Sequence, residues 1–570
     1  MCVATTTATG TQTIARLWFE AVARDPDGVA YLTEEAGEWR PVTWAEAGRA
    51  VDELAHGLLD LGVRKGDAFA ILGSTRIEWV LFDFALALVG GITAPIYMNS
   101  SPRDAAYVVE HSEAIGILCE DDEQRAKVDA VELGHVLTFA DLDELRARGR
   151  THAAHSPEAV ERAASEIGED DLYTYIYTSG TTRPPKGCMI RHRNYYAMVD
   201  KVDEIEGFTI EGDVMLLFLP LAHNFGRCMV LGGARRGYTI ALCPDPYAVA
   251  EAMPAVRPTV FPSVPRVYEK IHAGVTKKFA EETGVKRALI QWALRVGGEA
   301  SELRLSGREL PRGLALRHRL ADRLVYSRVK DRLGGRLRIG ISGGAPLAKE
   351  IIEFFHALDI LILEGYGLTE CTTAATVNRP SQFRFGTVGP ALPGVELRIA
   401  DDGEVLIKTD TIFAGYFKDE QATNEVLPGD GWLRSGDVGH LDDDGFLTIT
   451  DRKKDILVTA GGKNVAPQNL ENALKLQPLI SQALVVGDRR PYVAALITLV
   501  EGANPETARL EVERAVEEAN QELSRYEQIK RYAILPRDFT AEEGEVTPTL
   551  KLRRRVCQEH FAAEIEALYS

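Results

Sequence analysis

A chain of 570 residues is longer than one ordinary hydrophobic core organises, so the sequence predicts two or more domains. The composition is typical of a soluble globular enzyme, and a formal net charge of −19 argues against nucleic acid as a partner. The seven cysteines show no CxxC or Cys/His metal spacing, which favours reduced thiols in a cytoplasmic protein.

One apolar stretch, residues 79–98, has the length of a membrane span. It contains Asp83 and is interrupted by Gly90-Gly91 and Pro95. These residues favour a buried helix over 76–89 and a core strand over 92–97, so no transmembrane span is predicted. The first residues lack a basic region followed by an apolar core, and no signal peptide is predicted either.

Helical and strand-like segments alternate through residues 10–170, which predicts a parallel sheet covered by helices. The predicted helices are 44–61 and 105–111, and the further strands are 67–72, 115–119, 136–139 and 172–177. A second alternating unit runs from 192 to about 383, with strands at 214–219, 239–242, 260–262, 337–342 and 359–364. Two doubly wound halves of this kind bind ligands at the C-terminal ends of their strands.

The remaining third of the chain differs in its predicted secondary structure. Short strands with the hairpin signals Asp402-Gly403 and Asp444-Gly445 predict a small antiparallel barrel or sheet over about 386–450. The charged segment 451–455 marks the predicted boundary, with an N-terminal domain over 1–451, a hinge at about 452–454 and a C-terminal domain over 455–570. The predicted fold class is therefore α/β, with two doubly wound sheets, a small β-barrel and a smaller α+β domain.

A hydroxyl-rich loop, Tyr177–Gly187, lies between the two alternating units and reads Tyr-Thr-Ser-Gly-Thr-Thr-Arg-Pro-Pro-Lys-Gly. Such loops bind polyphosphates, because glycine allows a close backbone approach, hydroxyls donate hydrogen bonds and lysine neutralises charge. The candidate phosphate-binding residues are Thr178, Ser179, Gly180, Thr181, Thr182 and Lys186. It is not the nucleotide-kinase loop, which needs Gly-Lys-Ser/Thr, since Lys186 lies between Pro185 and Gly187.

The loop resembles the signature of the acyl- and aryl-adenylate-forming enzymes, except that Arg183 occupies the sixth position, where that family has glycine. Other motifs match in the family's order, so the resemblance covers almost the whole chain. They are Leu219–His223, Ser342–Pro346, Tyr366–Glu370, Ser435–Asp437, Arg452, Lys454, Gly461–Asn464 and Thr547–Lys551. Residues 264–270 and 451–455 are most similar to the long-chain fatty acyl-CoA synthetase branch.

The resemblance implies a role for each motif. A carboxylate attacks the α-phosphate of ATP to give acyl-AMP and pyrophosphate, and a thiol then displaces AMP. The implied catalytic residues are Lys551, Thr369, Glu370 as the Mg²⁺ ligand, and His223 as the gate of the acyl tunnel or, alternatively, a loop cap. The implied nucleotide and CoA contacts are Gly343, Gly344, Ala345, Pro346, Tyr366, Gly367, Asp437, Arg452, the hinge residue Lys454, and Gly461 and Gly462 beside the pantetheine tunnel. The C-terminal unit swings about the hinge in that family.

The predicted function is an acyl-CoA ligase for a bulky, largely apolar acid, in fatty acid or secondary metabolism, with ATP, CoA and Mg²⁺. Arg183 leaves a first alternative open, because its side chain either adds a charge for the triphosphate or blocks the pyrophosphate site. In the second case the protein would only transfer the acyl group of a supplied acyl-AMP to CoA. The motifs are also compatible with a carrier-protein acylating enzyme and with a non-catalytic acyl or nucleotide sensor, and an oligomer is possible.

Two further features bear on ligands. Asn224 places a polar group beside His223, which could fit an oxygenated or polycyclic acid. The arginine-rich helical stretch 286–332 is either a solvated face or a surface that attracts an anionic lipid or the CoA phosphates.

Overall fold

The computed structural model describes residues 11–178, 185–521, 523–540, 542–547 and 552–570. In the first part of the chain the helices are α1 Ile14–Arg24, α2 Trp44–Asp60, α3 Ile77–Val89, α4 Pro102–His111, α5 Asp122–Ala126, α6 Leu142–His155 and α7 Ala159–Ser165. The strands there are β1 Val29–Glu35, β2 Glu38–Thr43, β3 Ala68–Leu72, β4 Ile92–Ile96, β5 Gly116–Cys119, β6 His135–Thr138 and β7 Leu172–Thr178.

The second part of the chain continues the alternation. Its strands are β8 Lys186–Arg191, β9 Val214–Leu217, β10 Thr239–Leu242, β11 Val260–Ser263, β12 Ile339–Ser342, β13 Leu361–Tyr366 and β14 Thr376–Val377. Its helices are α8 His192–Asp203, α9 Asn224–Arg236, α10 Val249–Val256, α11 Pro265–Glu281, α12 Gly284–Leu305, α13 Arg312–Ala321, α14 Ser327–Arg332 and α15 Lys349–Ala357. A π-helical turn, Asp322–Tyr326, joins α13 to α14.

The last part is richer in short strands. They are β15 Glu396–Ile399, β16 Glu404–Lys408, β17 Leu433–Leu441, β18 Leu447–Arg452, β19 Leu457–Val458, β20 Asn464–Val465, β21 Ile480–Val486, β22 Val493–Leu499 and β23 Ile529–Ile534. The helices are α16 Glu420–Val426, α17 Pro467–Lys475, α18 Pro505–Asn520, α19 Arg554–His560 and α20 Ala562–Tyr569.

Two large sheets form the centre of the molecule, which confirms the predicted α/β class. One has six strands in the order β6-β5-β3-β4-β7-β8, and the other has eight in the order β14-β13-β12-β11-β9-β10-β1-β2. Most neighbours in both sheets are parallel. One continuous apolar core joins the facing layers.

The apolar stretch predicted as a buried helix and strand has that structure. Trp79, Phe82 and Phe84 of α3 are all buried, and β4 is buried along its whole length. The helix ends at Gly90, which adopts a left-handed conformation and donates its N–H to the Leu86 carbonyl. Among the described residues, no helix is long and apolar enough to cross a membrane.

Residues predicted as a small barrel form a four-stranded antiparallel sheet, β15-β16-β17-β18. Beyond it, β21, β22 and β23 form a separate three-stranded sheet with its own apolar clusters on both faces. This separation supports the α+β description of the C-terminal part, while the exact boundary at 452–454 stays a prediction.

Candidate active site

The two ends of the predicted phosphate loop face each other in the six-stranded sheet. Thr178 is the last residue of β7, Lys186 is the first of β8, and the two are paired across the antiparallel ladder. Both residues therefore lie where the loop leaves and re-enters the sheet. Ser179, Gly180, Thr181, Thr182 and Arg183 lie outside the described residues.

Lys186 is connected to Glu370 through Tyr416. The Lys186 ammonium lies 4.7 Å from the centre of the Tyr416 ring, and the Tyr416 hydroxyl donates a 2.6 Å hydrogen bond to Oε1 of Glu370. Burial, and then the negative charge of Glu370, raise the pKa of Tyr416, so its hydroxyl remains a donor at physiological pH. Asp419 adds a longer contact to Lys186, at 3.8 Å.

The position of Tyr416 is fixed by main-chain hydrogen bonds. The Met189 N–H donates to the Gly415 carbonyl at 2.9 Å, and the Phe417 N–H donates to the Gly187 carbonyl at 2.8 Å. The Phe413 N–H donates to the Glu370 carbonyl at 2.9 Å. Residues 413–417 therefore tie strand β8 to the turn that carries Glu370.

Sequence reasoning missed Tyr416. The only signal was an aromatic-rich stretch, Phe413-Ala414-Gly415-Tyr416-Phe417, without charge or periodicity to mark it.

A second group of side chains lies at the end of β13 and across the β17–β18 pair. The Tyr366 hydroxyl donates to Oδ2 of Asp437 at 2.7 Å, while Nε of Arg452 lies 3.2 Å from Oδ1 of the same carboxylate. Asp437 and Arg452 are paired across the two strands. Three residues that are far apart in the sequence thus meet, and the hydroxyl bond fixes the orientation of the Tyr366 ring.

Electrostatics link the two groups. The charge of Arg452 acts on both Tyr416 and Glu370, as well as on Asp437. Arg452 therefore lies close to Glu370 and Tyr416 as well as to Asp437 and Tyr366. This places groups suited to phosphates beside groups suited to a nucleoside.

Close backbone packing explains the glycine of the Tyr366–Glu370 turn. A Cβ on Gly367 would lie 2.0 Å from the Thr373 carbonyl oxygen, which no side chain tolerates. The turn continues into a 3-10 segment, Thr369–Cys371, which presents Thr369 and Glu370 side by side.

His223 lines a small apolar cavity. Its neighbours there are Leu219, Pro220, Phe225, Val264, Gly343 and Gly344. Its Nδ1 accepts the Phe225 N–H at 3.1 Å and so caps helix α9. His223 thus caps a helix and not the loop that the alternative expected, and its role as the gate stays a prediction. The neighbouring predicted adenine contacts, Ala345 and Pro346, follow Gly344 on a half-buried turn.

Asn224 does not offer a polar group to the cavity. It is buried, its Oδ1 accepts the Tyr195 hydroxyl at 2.6 Å, and its Nδ2 faces the Thr369 carbonyl at 3.4 Å. The carboxamide is thus bonded within the protein, which removes the reason to expect an oxygenated or polycyclic acid.

The predicted residues of the C-terminal part lie at the surface. Lys454 is exposed, and Gly461 and Gly462 form the exposed turn of the β19–β20 hairpin. The described hydrogen bonds of that hairpin run within the C-terminal part, to Asp488 and Arg490. Lys551 lies outside the described residues.

Among the described residues of this site, one carboxylate, that of Glu370, is suited to hold a magnesium ion. The described residues contain no group of three or more His, Cys, Asp or Glu arranged to hold a metal. Glu370 is half-buried, and among the described residues one side chain, that of Tyr416, forms a hydrogen bond with one of its oxygens. One carboxylate with substrate phosphates is an ordinary arrangement for Mg²⁺.

Comparison with known proteins gives a consistent result. The family model described as AMP-binding enzyme matches residues 18–417, and the model of the AMP-binding enzyme C-terminal domain matches residues 454–570. A relative in Mycobacterium bovis, the long-chain-fatty-acid–CoA ligase FadD15, is 39% identical, with 98% of this chain and 97% of the relative covered.

Solved structures show the same fold. The anthranilate CoA ligase AuaEII in complex with anthranoyl-AMP has a TM-score of 0.76 at 19% identity, covering 97% of this chain and 98% of that one. The adenylation domain of a Mycobacterium chelonae carboxylate reductase has a TM-score of 0.76 at 22% identity, with coverage of 98% and 91%.

Proposed function

The chain belongs to the AMP-binding enzyme family, and on that premise we propose that it is an acyl-CoA ligase. It activates a long-chain fatty acid as acyl-AMP with ATP and then transfers the acyl group to CoA. The substrate class rests on the relative at 39% identity, which is similar along nearly its whole length. The observation that supports this chemistry is that two groups of side chains lie close together. Tyr416 connects Lys186 with Glu370, and the Tyr366 hydroxyl is bonded to Asp437 nearby.

In the first half-reaction the carboxylate of the acid forms a bond to the α-phosphorus of ATP, and the bond to pyrophosphate breaks. Thr178 and Lys186 hold the phosphates at the base of the loop, and Thr369 donates to the α-phosphate. Asp437 and Arg452 bind the ribose, and Tyr366 stacks on adenine. Mg²⁺ on Glu370 supplies charge neutralisation when bound. Lys551 neutralises charge from the C-terminal part.

In the second half-reaction the CoA thiolate attacks the acyl carbon, and AMP leaves with the electron pair of the broken bond. The exposed turn at Gly461 and Gly462 meets the pantetheine arm after the C-terminal part rotates about residues 452–454. Lys453 and Lys454 are both exposed, but Lys453 forms ion pairs with Asp402 at 2.6 Å and Glu404 at 3.0 Å, whereas Lys454 forms none with a described residue. This difference supports Lys454 as the pivot.

A second candidate function rests on Arg183. In the sequence it occupies the position where the family signature has glycine, and it is followed by two prolines, a residue type that restricts the backbone. If it fills the pyrophosphate site, the protein performs only the thioester-forming half-reaction.

The function is tested by supplying the purified chain with CoA and a panel of short, long and aromatic acids. Thioester formation is followed by mass spectrometry, first with ATP and Mg²⁺ and then with synthetic acyl-AMP alone. Thioester from both supplies establishes the full reaction, and thioester from acyl-AMP alone establishes the second candidate. No thioester from either supply contradicts both.

Lys551→Ala is the matched variant for these assays. It should lose far more of the reaction that starts from ATP than of the reaction that starts from acyl-AMP. Equal losses would contradict the role of Lys551 in adenylation.

A further inference from the structure

Helix α13 and its continuation through the π-helical turn into α14 present two different faces. Leu314, His318, Ala321 and Val325 are buried, and this face packs on helix α12. The Tyr326 hydroxyl, at the end of the π-helical turn, donates to the carbonyl of Ala293 in the middle of α12 at 2.5 Å. The helix is therefore held firmly from one side.

The other face carries leucines in contact with solvent. Leu316, Leu320 and Leu324 recur at every fourth position, so they form one stripe along the helix. They are 70%, 50% and 36% exposed. Isolated surface leucines are ordinary, whereas three in a row on one helix face mark a contact surface.

Arginines border this stripe. Arg312, Arg319, Arg323 and Arg328 are all exposed, and none of them forms an ion pair with another described residue. From 312 to 332 the sequence has seven Lys or Arg and two Asp or Glu, although the whole chain carries −19. The positive charge is therefore concentrated where the leucines are.

We propose that this leucine–arginine face, residues 312–328, docks the protein on an anionic lipid bilayer. A helix with exposed leucines flanked by arginines lies in the membrane interface, with its apolar side chains in the acyl region and its cations at the headgroups. A free anion such as CoA would use the arginines but would leave the leucines without a partner. The rest of the acidic surface is repelled by anionic lipid, so docking has one orientation.

The experiment is co-sedimentation of the full chain with vesicles of phosphatidylcholine, with and without phosphatidylglycerol. The wild type should sediment with the anionic vesicles only, and added salt should weaken binding. Arg319→Glu with Arg323→Glu should lower the partition constant by about tenfold or more. Leu316→Ser with Leu320→Ser should abolish the part of binding that survives added salt. No ligase turnover enters the readout, so the result is independent of the proposed function.

The matched control is on helix α18, where Leu510 is 68% exposed and Arg514 is also exposed. Leu510→Ser with Arg514→Glu should leave vesicle binding unchanged. The proposal is overturned if the wild type does not sediment with anionic vesicles at low salt. It is also overturned if the α13 variants bind these vesicles as strongly as the control variant does. It is equally overturned if light scattering shows a dimer that the leucine variant dissociates, because the face would then be an interface between two copies.

Discussion

At the residue scale, Tyr416 has the most direct influence on the proposed chemistry. Its ring lies under the Lys186 ammonium, and its hydroxyl holds one oxygen of Glu370. Tyr416→Phe keeps the ring and removes only the hydroxyl, so Glu370 loses its orientation. We expect acyl-AMP formation to slow by about tenfold and the Mg²⁺ concentration for half-maximal rate to rise.

Calorimetric titration of the protein with Mg²⁺–ATP provides a readout apart from turnover, and it should show weaker binding for Tyr416→Phe. Tyr326→Phe is the control, because it removes a buried hydroxyl bonded to a main-chain carbonyl outside the site. If both variants bind Mg²⁺–ATP as the wild type does, Tyr416 does not position Glu370.

Glu364 gives a prediction about pH. Glu364 is buried in β13, two residues before Tyr366, and burial raises its pKa to about 8. A hydrogen bond donated by the Leu347 N–H to its carboxylate partly opposes this rise. The folded state therefore keeps a proton that the unfolded chain releases near its ordinary pKa of about 4.3. Stability from this group is fully present at low pH and is lost as pH rises towards about 8.

Glu364→Gln should remove that loss, because the amide is neutral at every pH. Its melting temperature should exceed that of the wild type at the upper end of this range and approach it near pH 5. A difference that does not change with pH would contradict the inference that Glu364 is protonated in the folded protein.

At this scale the family motifs grouped side chains that do lie together in the structure, while their roles stay predictions. The resemblance brought Tyr366, Asp437 and Arg452 into one proposed site, and they do meet. It did not find Tyr416, and it expected the Asn224 amide to offer a polar group near the pocket. The partners of these two side chains, Glu370 and Tyr195, are distant in sequence, so only folding brings them together.

At the element scale, a buried ion pair connects helices α3 and α9 with strand β7. Nη2 of Arg227 lies 2.6 Å from Oδ1 of Asp83, and both side chains are almost completely buried. Thr93 and Tyr173 also donate to Asp83, and Arg227 stacks on the Tyr173 ring at 4.5 Å. Since α9 begins at the His223 cap, this network fixes the helix that borders the cavity.

Arg227→Met should lower the free energy of unfolding by about 3–5 kcal/mol, because Asp83 then remains buried without its counter-ion. Asp83→Leu combined with Arg227→Met should recover much of that loss. Urea unfolding measures both. Arg148→Met is the control at an exposed pair, and it should cost at most about 1 kcal/mol. A double variant less stable than Arg227→Met would contradict this view.

Periodicity predicted most strands to within two residues. The prediction was wrong at Asp359, which was expected to start a strand. Asp359 instead adopts a left-handed conformation in the turn after α15, where its N–H donates to the His356 carbonyl. The β1–β2 hairpin was not predicted, and β1 joins the second sheet beside β10, more than 200 residues later in the chain. Local patterns contain no information about such a long-range pairing.

At the scale of the whole molecule, helix α11 holds the C-terminal part in the described arrangement. Lys475 lies 3.1 Å from Glu269, and Arg266 donates to both the hydroxyl and the carbonyl of Ser481. These side chains are largely buried. A rotation about residues 452–454 must break these contacts.

Lys475→Glu should therefore increase the rate of tryptic cleavage at Arg452, Lys453 or Lys454 several-fold, because release of the C-terminal part frees the backbone of this already exposed segment to fit the protease. Lys408→Glu disrupts an exposed pair with Glu396 and serves as the control. If the segment is cleaved no faster in Lys475→Glu than in the wild type, these contacts do not restrain the rotation.

The large-scale architecture was the easiest part to predict, because alternating helices and strands specify a doubly wound sheet. The rotation was not predictable from composition or spacing, and it rests on the family resemblance.

The most direct test of the central claim is ATP–pyrophosphate exchange by the purified chain with a long-chain fatty acid. Acid-dependent exchange is predicted, and Arg183→Gly should then change its rate little. No exchange by the wild type, with exchange restored by Arg183→Gly, would contradict the full two-step ligase and leave a protein that only transfers preformed acyl groups.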